Sequence, residues 1–195
     1  MSRLWVYAAA AAVVAALAGG SLALASGKHH GGGGSFSARL NGYNEVTGPP
    51  NGGSISTVGL GKFKAKLDKN SNTITYTLTY TLENAATALF SHIHFAQQHV
   101  NGGIVVFLCG GGGKPACPAG TGSPVTVTGT ITPADIIGPT PQGIEAGSFD
   151  ELVRAMKAGA TYVNVHSPRW PAGEIRGQIR SKHGDDDHGD HGKKK

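Results

Sequence analysis

Charged residues make up 15% of this 195-residue chain and aromatic residues 7%, and there are two cysteines, two methionines and two tryptophans. Each scarcity excludes something. One cysteine pair cannot complete a thiolate zinc site, and the seven residues between Cys109 and Cys117 are not a zinc-knuckle spacing. Nucleic-acid recognition needs a basic stripe interleaved with aromatics, and none is present. The formal net charge is +5, but Lys and Arg are scattered apart from Lys62, Lys64, Lys66 and the last three positions. This mild basicity reads as a solubility feature in preference to a polyanion-binding role. There is no Gly-x-Ser-x-Gly, and the run Gly110 to Gly113 lacks the Lys-Ser/Thr ending of a phosphate loop. Glu45, Asp135, Asp150 and Glu174 are not spaced as a general acid and base. No residue is therefore assigned a catalytic role, and a binding protein is favoured over an enzyme.

Long apolar runs are also missing, except at the N-terminus. Arg3 is followed by an apolar stretch from Leu4 to Ala18, and Ala23-Leu24-Ala25 offers a small-x-small cleavage site. Residues 1–25 are thus expected to be a cleaved signal peptide. A membrane anchor would need about 20 apolar residues, and Gly19, Gly20 and Ser21 interrupt the run. The expected location is extracytoplasmic (secreted, periplasmic or at the cell surface), with no stable span after cleavage. An oxidising compartment suits a disulfide between Cys109 and Cys117 across a short Gly-rich loop.

What the chain has in quantity is glycine, 31 residues, together with short runs of Thr and Val. Residues 26–35 read as a flexible Gly/His-rich spacer, and residues 181–195 as a disordered His/Asp/Lys tail. The tail's histidines and Asp185 to Asp187 are read as solubilising ahead of loosely metal-gathering. Between them, residues 36–180 are about the size of one domain with one core.

Strict alternation marks residues 73–82 as a half-buried strand, with Ile74, Tyr76, Leu78, Tyr80 and Leu82 on one face and threonines on the other. Phe63, Ala65 and Leu67 alternate with the three lysines just before it, and the Asp68 to Asn72 segment supplies a hairpin turn. Further strands are expected at 36–40, 89–95, 104–108, 125–131, 161–166 and 174–180. The predicted fold is all-β, an antiparallel Greek-key-like barrel or sandwich of about eight strands with one inserted α-helix. That helix should start at Ser148, with Glu151 completing a capping box, and end at Gly159. A single-turn helix is expected from Thr132-Pro133 to Ile136.

In Ser91-His92-Ile93-His94-Phe95, alternation puts Ile93 and Phe95 on the buried face and both imidazoles on the opposite one. His166 closes residues 161–166, where Val163 and Val165 point inward and His166 shares the outward face with Tyr162 and Asn164. If those strands meet, a three-histidine site follows. Three neutral imidazoles suit Cu(II) or Zn(II), and without Cys or Met nearby a blue-copper centre is disfavoured. The competing reading has these histidines hydrogen-bonded on a polar sheet face. His99 is read as a solvated loop residue in preference to a fourth ligand.

The chain resembles the CHRD (chordin-type) domain family in Asn41-Gly42-Tyr43-Asn44-Glu45-Val46 leading to Pro49-Pro50, in His92-Ile93-His94-Phe95, and in Asn101-Gly102-Gly103. The likeness continues in residues 162–166 and in Pro171-Ala172-Gly173-Glu174-Ile175-Arg176-Gly177-Gln178-Ile179. It covers about residues 36–180. It implies an antiparallel β-barrel or sandwich in an exported protein, and protein binding in preference to catalysis. It also marks Asn44, Glu45, Asn164, Glu174 and Arg176 as motif residues that can support the site. A weaker likeness is to the copper site of copper-zinc superoxide dismutases; it implies a copper-only enzyme, with Arg169 or Arg176 guiding anions. The expectation is an exported CHRD-domain protein holding copper or zinc through His92, His94 and His166. The alternatives are a metal-free adhesive module that contacts an extracytoplasmic protein, and the dismutase-like enzyme.

Overall fold

The structure is a computed structural model that describes residues 34–48, 52–120 and 124–182. The expected signal peptide, most of the expected spacer, Pro49-Pro50 and nearly all of the expected tail lie outside the described residues.

Nine strands form one antiparallel sheet: β1 (Ser35–Asn41), β2 (Leu60–Asp68), β3 (Thr73–Thr81), β4 (Phe90–Phe95), β5 (Gly103–Cys109), β6 (Val125–Ile131), β7 (Thr161–His166), β8 (Ile175–Gln178) and β9 (Arg180–Lys182). The order is β5-β4-β7-β8-β1-β2-β3-β6, with β9 also paired to β1. The sheet curls into a nearly closed barrel. Its two edge strands are not left bare. Lys114, in the loop after β5, donates to the Thr130 carbonyl of β6 (2.8 Å), and the Ile137 N–H reaches the Val105 carbonyl of β5 (2.9 Å). Across the interior, the Tyr76 hydroxyl of β3 donates to the Leu108 carbonyl of β5 (2.7 Å).

The strand count exceeds the expected eight because residues 174–180 divide into β8 and β9. Between them the Ile179 N–H turns aside to the Thr161 carbonyl of β7 (2.9 Å), while Ile179 itself is fully buried. The β2–β3 hairpin is as expected, with Lys62 to Lys66 in register with Thr79 to Thr75. Asp68 closes the turn by accepting from the Asn70 N–H and the Ser71 hydroxyl, both at 2.9 Å. Asn72 takes the left-handed conformation (φ 50°) that Asn tolerates.

One helix, α1 (Phe149–Lys157), buries Phe149, Leu152, Val153 and Met156 against the core. The predicted capping box at its start is not formed. Ser148 makes no side-chain capping bond, and Glu151 pairs with Arg154 one turn on. The reciprocal cap lies instead at the Pro133–Asp135 turn, where the Asp135 carboxylate accepts from the Thr132 N–H (2.7 Å) and hydroxyl (2.9 Å). The barrel interior is one cluster built from the inward sets of the strands, including Phe36, Leu40, Phe63, Ile74, Leu78, Ile93, Val163, Val165 and Ile175.

Candidate metal centre

The adjacency that the histidines needed is supplied by direct pairing of β4 with β7. Phe90 lies opposite His166, His92 opposite Asn164, and His94 opposite Tyr162. All three imidazoles therefore leave the sheet on its outer face, His166 diagonal to His92. The pairing of β4 with β5 shifts register on either side of the His92-Ile93 step. Such irregularities bend a strand locally and re-aim its side chains. Ring centroids stand 4.4 Å apart for His92 and His94 and 4.6 Å for His92 and His166. One ring nitrogen from each residue lies within 4.8 Å of the other two. No other group of this kind occurs among the described residues.

That outer face is not the solvated surface alternation suggested. His92 and His166 are 2% and 7% exposed, and every residue of β7 is buried. The sequence expectation of a site on the barrel surface is corrected here: three loop segments lie across the face. Glu45 accepts a hydrogen bond from the Asn164 side chain. Asn101 donates to the Val46 carbonyl (2.8 Å), and Pro171 offers its carbonyl to His166. Two glycines permit this cover. At Gly102 a side chain would sit 1.8 Å from the Phe95 carbonyl oxygen; at Gly173 (φ 129°) it would meet Glu45 and Asn164 at 2.5 and 2.8 Å.

Hydrogen bonds decide which nitrogens are left over. His94 Nδ1 lies 2.7 Å from the Gly102 carbonyl oxygen and His166 Nδ1 lies 2.9 Å from that of Pro171. A carbonyl can only accept, so each Nδ1 carries the proton and each Nε2 keeps a lone pair. His166 Nε2 and His92 Nδ1 are both buried without a hydrogen-bond partner. Burial pushes the His92 imidazolium down to about 2, with help from His94 and His166, and pushes that of His94 down to about 4. Burial lowers His166 too, against the opposing pull of its bond to Pro171. All three rings are neutral near pH 7, the state a metal requires of imidazole.

Around this group the polar residues form a connected frame. The Tyr162 ring stacks on His94 (centroids 4.6 Å, planes 8° apart), and the Arg176 guanidinium lies 3.4 Å above the other ring system of that pair, Tyr162. Arg176 is buried and fastens the loop over the site through the Val100 carbonyl (2.7 Å), the Gln97 carbonyl (3.3 Å) and Asn101 Oδ1 (3.1 Å). It also supplies the positive charge near Glu45, whose carboxyl burial raises and Arg176 draws back down. On the apolar side, Phe90 and Phe107 pack against His92 at 5.5 and 5.2 Å, and Phe90 against His166 at 4.6 Å.

The profile of the CHRD domain matches residues 36–179. The chain belongs to the CHRD-domain family. No curated protein and no solved structure matches it.

The CHRD motif residues divide into two groups by position. Glu45, Asn164 and Arg176 join the frame just described. Asn44 sits in a 3-10 turn, its N–H capped by the Asn41 side chain at 3.0 Å. Glu174 is buried, accepting from the Thr57 hydroxyl and the Glu83 N–H, both at 2.8 Å. Its work is to pin two loops. Of the two arginines expected to guide anions, Arg169 pairs with Glu83 (3.3 Å) and Arg176 donates to loop carbonyls. His99 is exposed in a turn (φ 64°) outside the cluster. The Cys109 and Cys117 sulfurs are at bonding distance, 1.97 Å. Tyr162, Phe90 and Phe107 were not singled out as site residues beforehand. For Tyr162 the available signal was its shared parity with Asn164 and His166.

Proposed function

We propose that this CHRD-domain protein is exported and holds one copper or zinc ion through His92, His94 and His166, as a metal-binding protein outside the cytoplasm. The observation that carries the reading is the pair of buried ring nitrogens, His92 Nδ1 and His166 Nε2, left without any hydrogen-bond partner inside a group of three neutral imidazoles. Each such atom costs about 1–3 kcal/mol when unsatisfied, and a metal ion removes both penalties at once. In a tetrahedral or trigonal arrangement, metal–nitrogen bonds of about 2.0–2.1 Å set ligand atoms about 3.3–3.6 Å apart. The upper spacing of 4.8 Å is wider, so the rings draw inward on binding. The carbonyls of Gly102 and Pro171 act as outer partners that fix tautomer and ring orientation, as such partners do for metal-bound histidine. A bound ion would supply a Lewis-acidic centre with an open position beyond the three imidazoles.

Export is supported by the apolar N-terminal segment, by the small-x-small pattern Ala23-Leu24-Ala25 that follows it, and by a cysteine pair of the kind oxidising compartments sustain. No helix among the described residues is long and apolar enough to cross a membrane. Titration calorimetry of chelator-treated protein with Cu(II) and Zn(II) tests the metal reading. One ion should bind per chain, and the His92→Ala/His94→Ala variant should lose that isotherm. Unchanged binding in a folded variant would remove the site.

A further inference from the structure

Cations that are scattered in the sequence gather on the outer face of β1, β2 and β9. Register places Arg39 opposite Lys62, Ser37 between Lys64 and Arg180, and Ser35 between Lys66 and Lys182. The six charged residues of this face are all exposed. Among the described residues the ion pairs involve Lys114, Arg154 and Arg169, and none of these six. Asp68, at the far end of β2, senses the charge of Lys66 without forming an ion pair. Two shallow grooves of ≈ 320 and ≈ 360 Å³ run past Lys64 and Lys182, and no carboxylate lines either of them.

Like charges facing one another across strands destabilise a sheet, and a face selected for solubility alone mixes both signs. Alternate residues of a strand stand about 6.6 Å apart and neighbouring strands about 4.8 Å, both shorter than the screening length of about 8 Å at physiological salt. The six potentials therefore add. We propose that this face binds a linear phosphate-bearing polyanion laid across β1, β2 and β9. Lysine ammonium groups meet phosphate as point charges without demanding one geometry, which suits a repeating polymer on a shallow surface. The hydroxyl of Thr77 borders the groove as a further donor. Stacking of nucleic-acid bases has no platform here, since the aromatic residues beside the grooves, Phe36 and Tyr76, are buried. Insertion into a membrane would need a cluster of exposed apolar side chains; Ala38 and Ala65 on these strands point into the core, and of the large apolar residues exposed among the described residues only Leu60, at the end of β2, lies on these strands.

The test measures binding of long-chain inorganic polyphosphate to the full chain over a range of salt, beside orthophosphate and vesicles of anionic phospholipid. Polyphosphate should bind tightest, and affinity should fall steeply with salt. Lys62→Gln/Lys64→Gln should weaken it about tenfold and lower the salt slope by about two. Arg154→Gln/Lys157→Gln on α1, with the same loss of charge, should leave it unchanged. Equal weakening by both double variants would overturn the proposal. So would tighter binding to the vesicles, no binding to polyphosphate, or self-association of the chain that polyphosphate does not displace.

Discussion

The outer face of the barrel is built twice from the same alternation and used in opposite ways. On β2 and β3 the outward residues are mainly lysines and threonines that meet solvent. On β7 they are Tyr162, Asn164 and His166, and all three are buried. All three strands pack apolar residues inward. What differs is the cover: segments carrying Glu45, Asn101 and Pro171 close over the second face, and among the described residues none closes over the first. The comparison teaches that alternation fixes which side of a sheet a residue occupies, and loop cover decides whether that side is wet.

The largest effect should separate the two faces by stability. Arg176 is buried, sits on Tyr162 and accepts no substitute for its three loop contacts. Arg176→Ala should cost about 3–5 kcal/mol, since it leaves Glu45 buried without its cationic neighbour. Urea denaturation checks this, and a loss below 1 kcal/mol would mean the frame is not a coupled unit. Lys64→Gln on the bare face should change stability by no more than about 0.5 kcal/mol.

A second contrast is in pH dependence. In the metal-free protein the imidazoles of His92, His94 and His166 are depressed below 6.5 by burial. Above pH 6.5 they are neutral in both folded and unfolded states, and this contribution is complete. As pH falls below 6.5 the unfolded chain takes up protons that the folded chain refuses, so stability drops. The loss continues down to about 4 for His94 and about 2 for His92. Each such group contributes a slope of about 1.4 kcal/mol per pH unit inside its window. Melting temperatures of chelated protein between pH 7 and 5 should fall more steeply than those of His92→Gln/His94→Gln; parallel curves would show that the rings titrate normally.

A smaller effect concerns Tyr162. Removing its stack in Tyr162→Leu should weaken metal affinity about tenfold, the scale of outer-partner changes. Tyr162→Phe keeps the stack, loses only a 3.5 Å contact with the Gly102 N–H, and should retain affinity.

Much of this was legible in advance. The period-2 pattern located every strand but the division at Ile179, and parity alone put His92, His94 and His166 on one side of the sheet. Adjacency of β4 and β7 was not legible, because register between strands about seventy residues apart is set by the closed sheet and not by any local signal. Burial of the histidines escaped for the same reason, as the loops that cover them come from residues 45–46, 97–102 and 171. The helix cap failed because Glu151 pairs with Arg154 and the Ser148 N–H is already donated to the Glu145 carbonyl. The basic face was misread as scattered charge, since Arg39, the β2 lysines and Lys182 meet only through strand pairing.

X-ray absorption at the metal edge of the copper- or zinc-loaded protein tests the central claim most directly. The account predicts three imidazole nitrogens at about 2.0–2.1 Å, falling to one in His92→Ala/His94→Ala. A shell of oxygens with fewer than two imidazoles in the unmodified protein would contradict it.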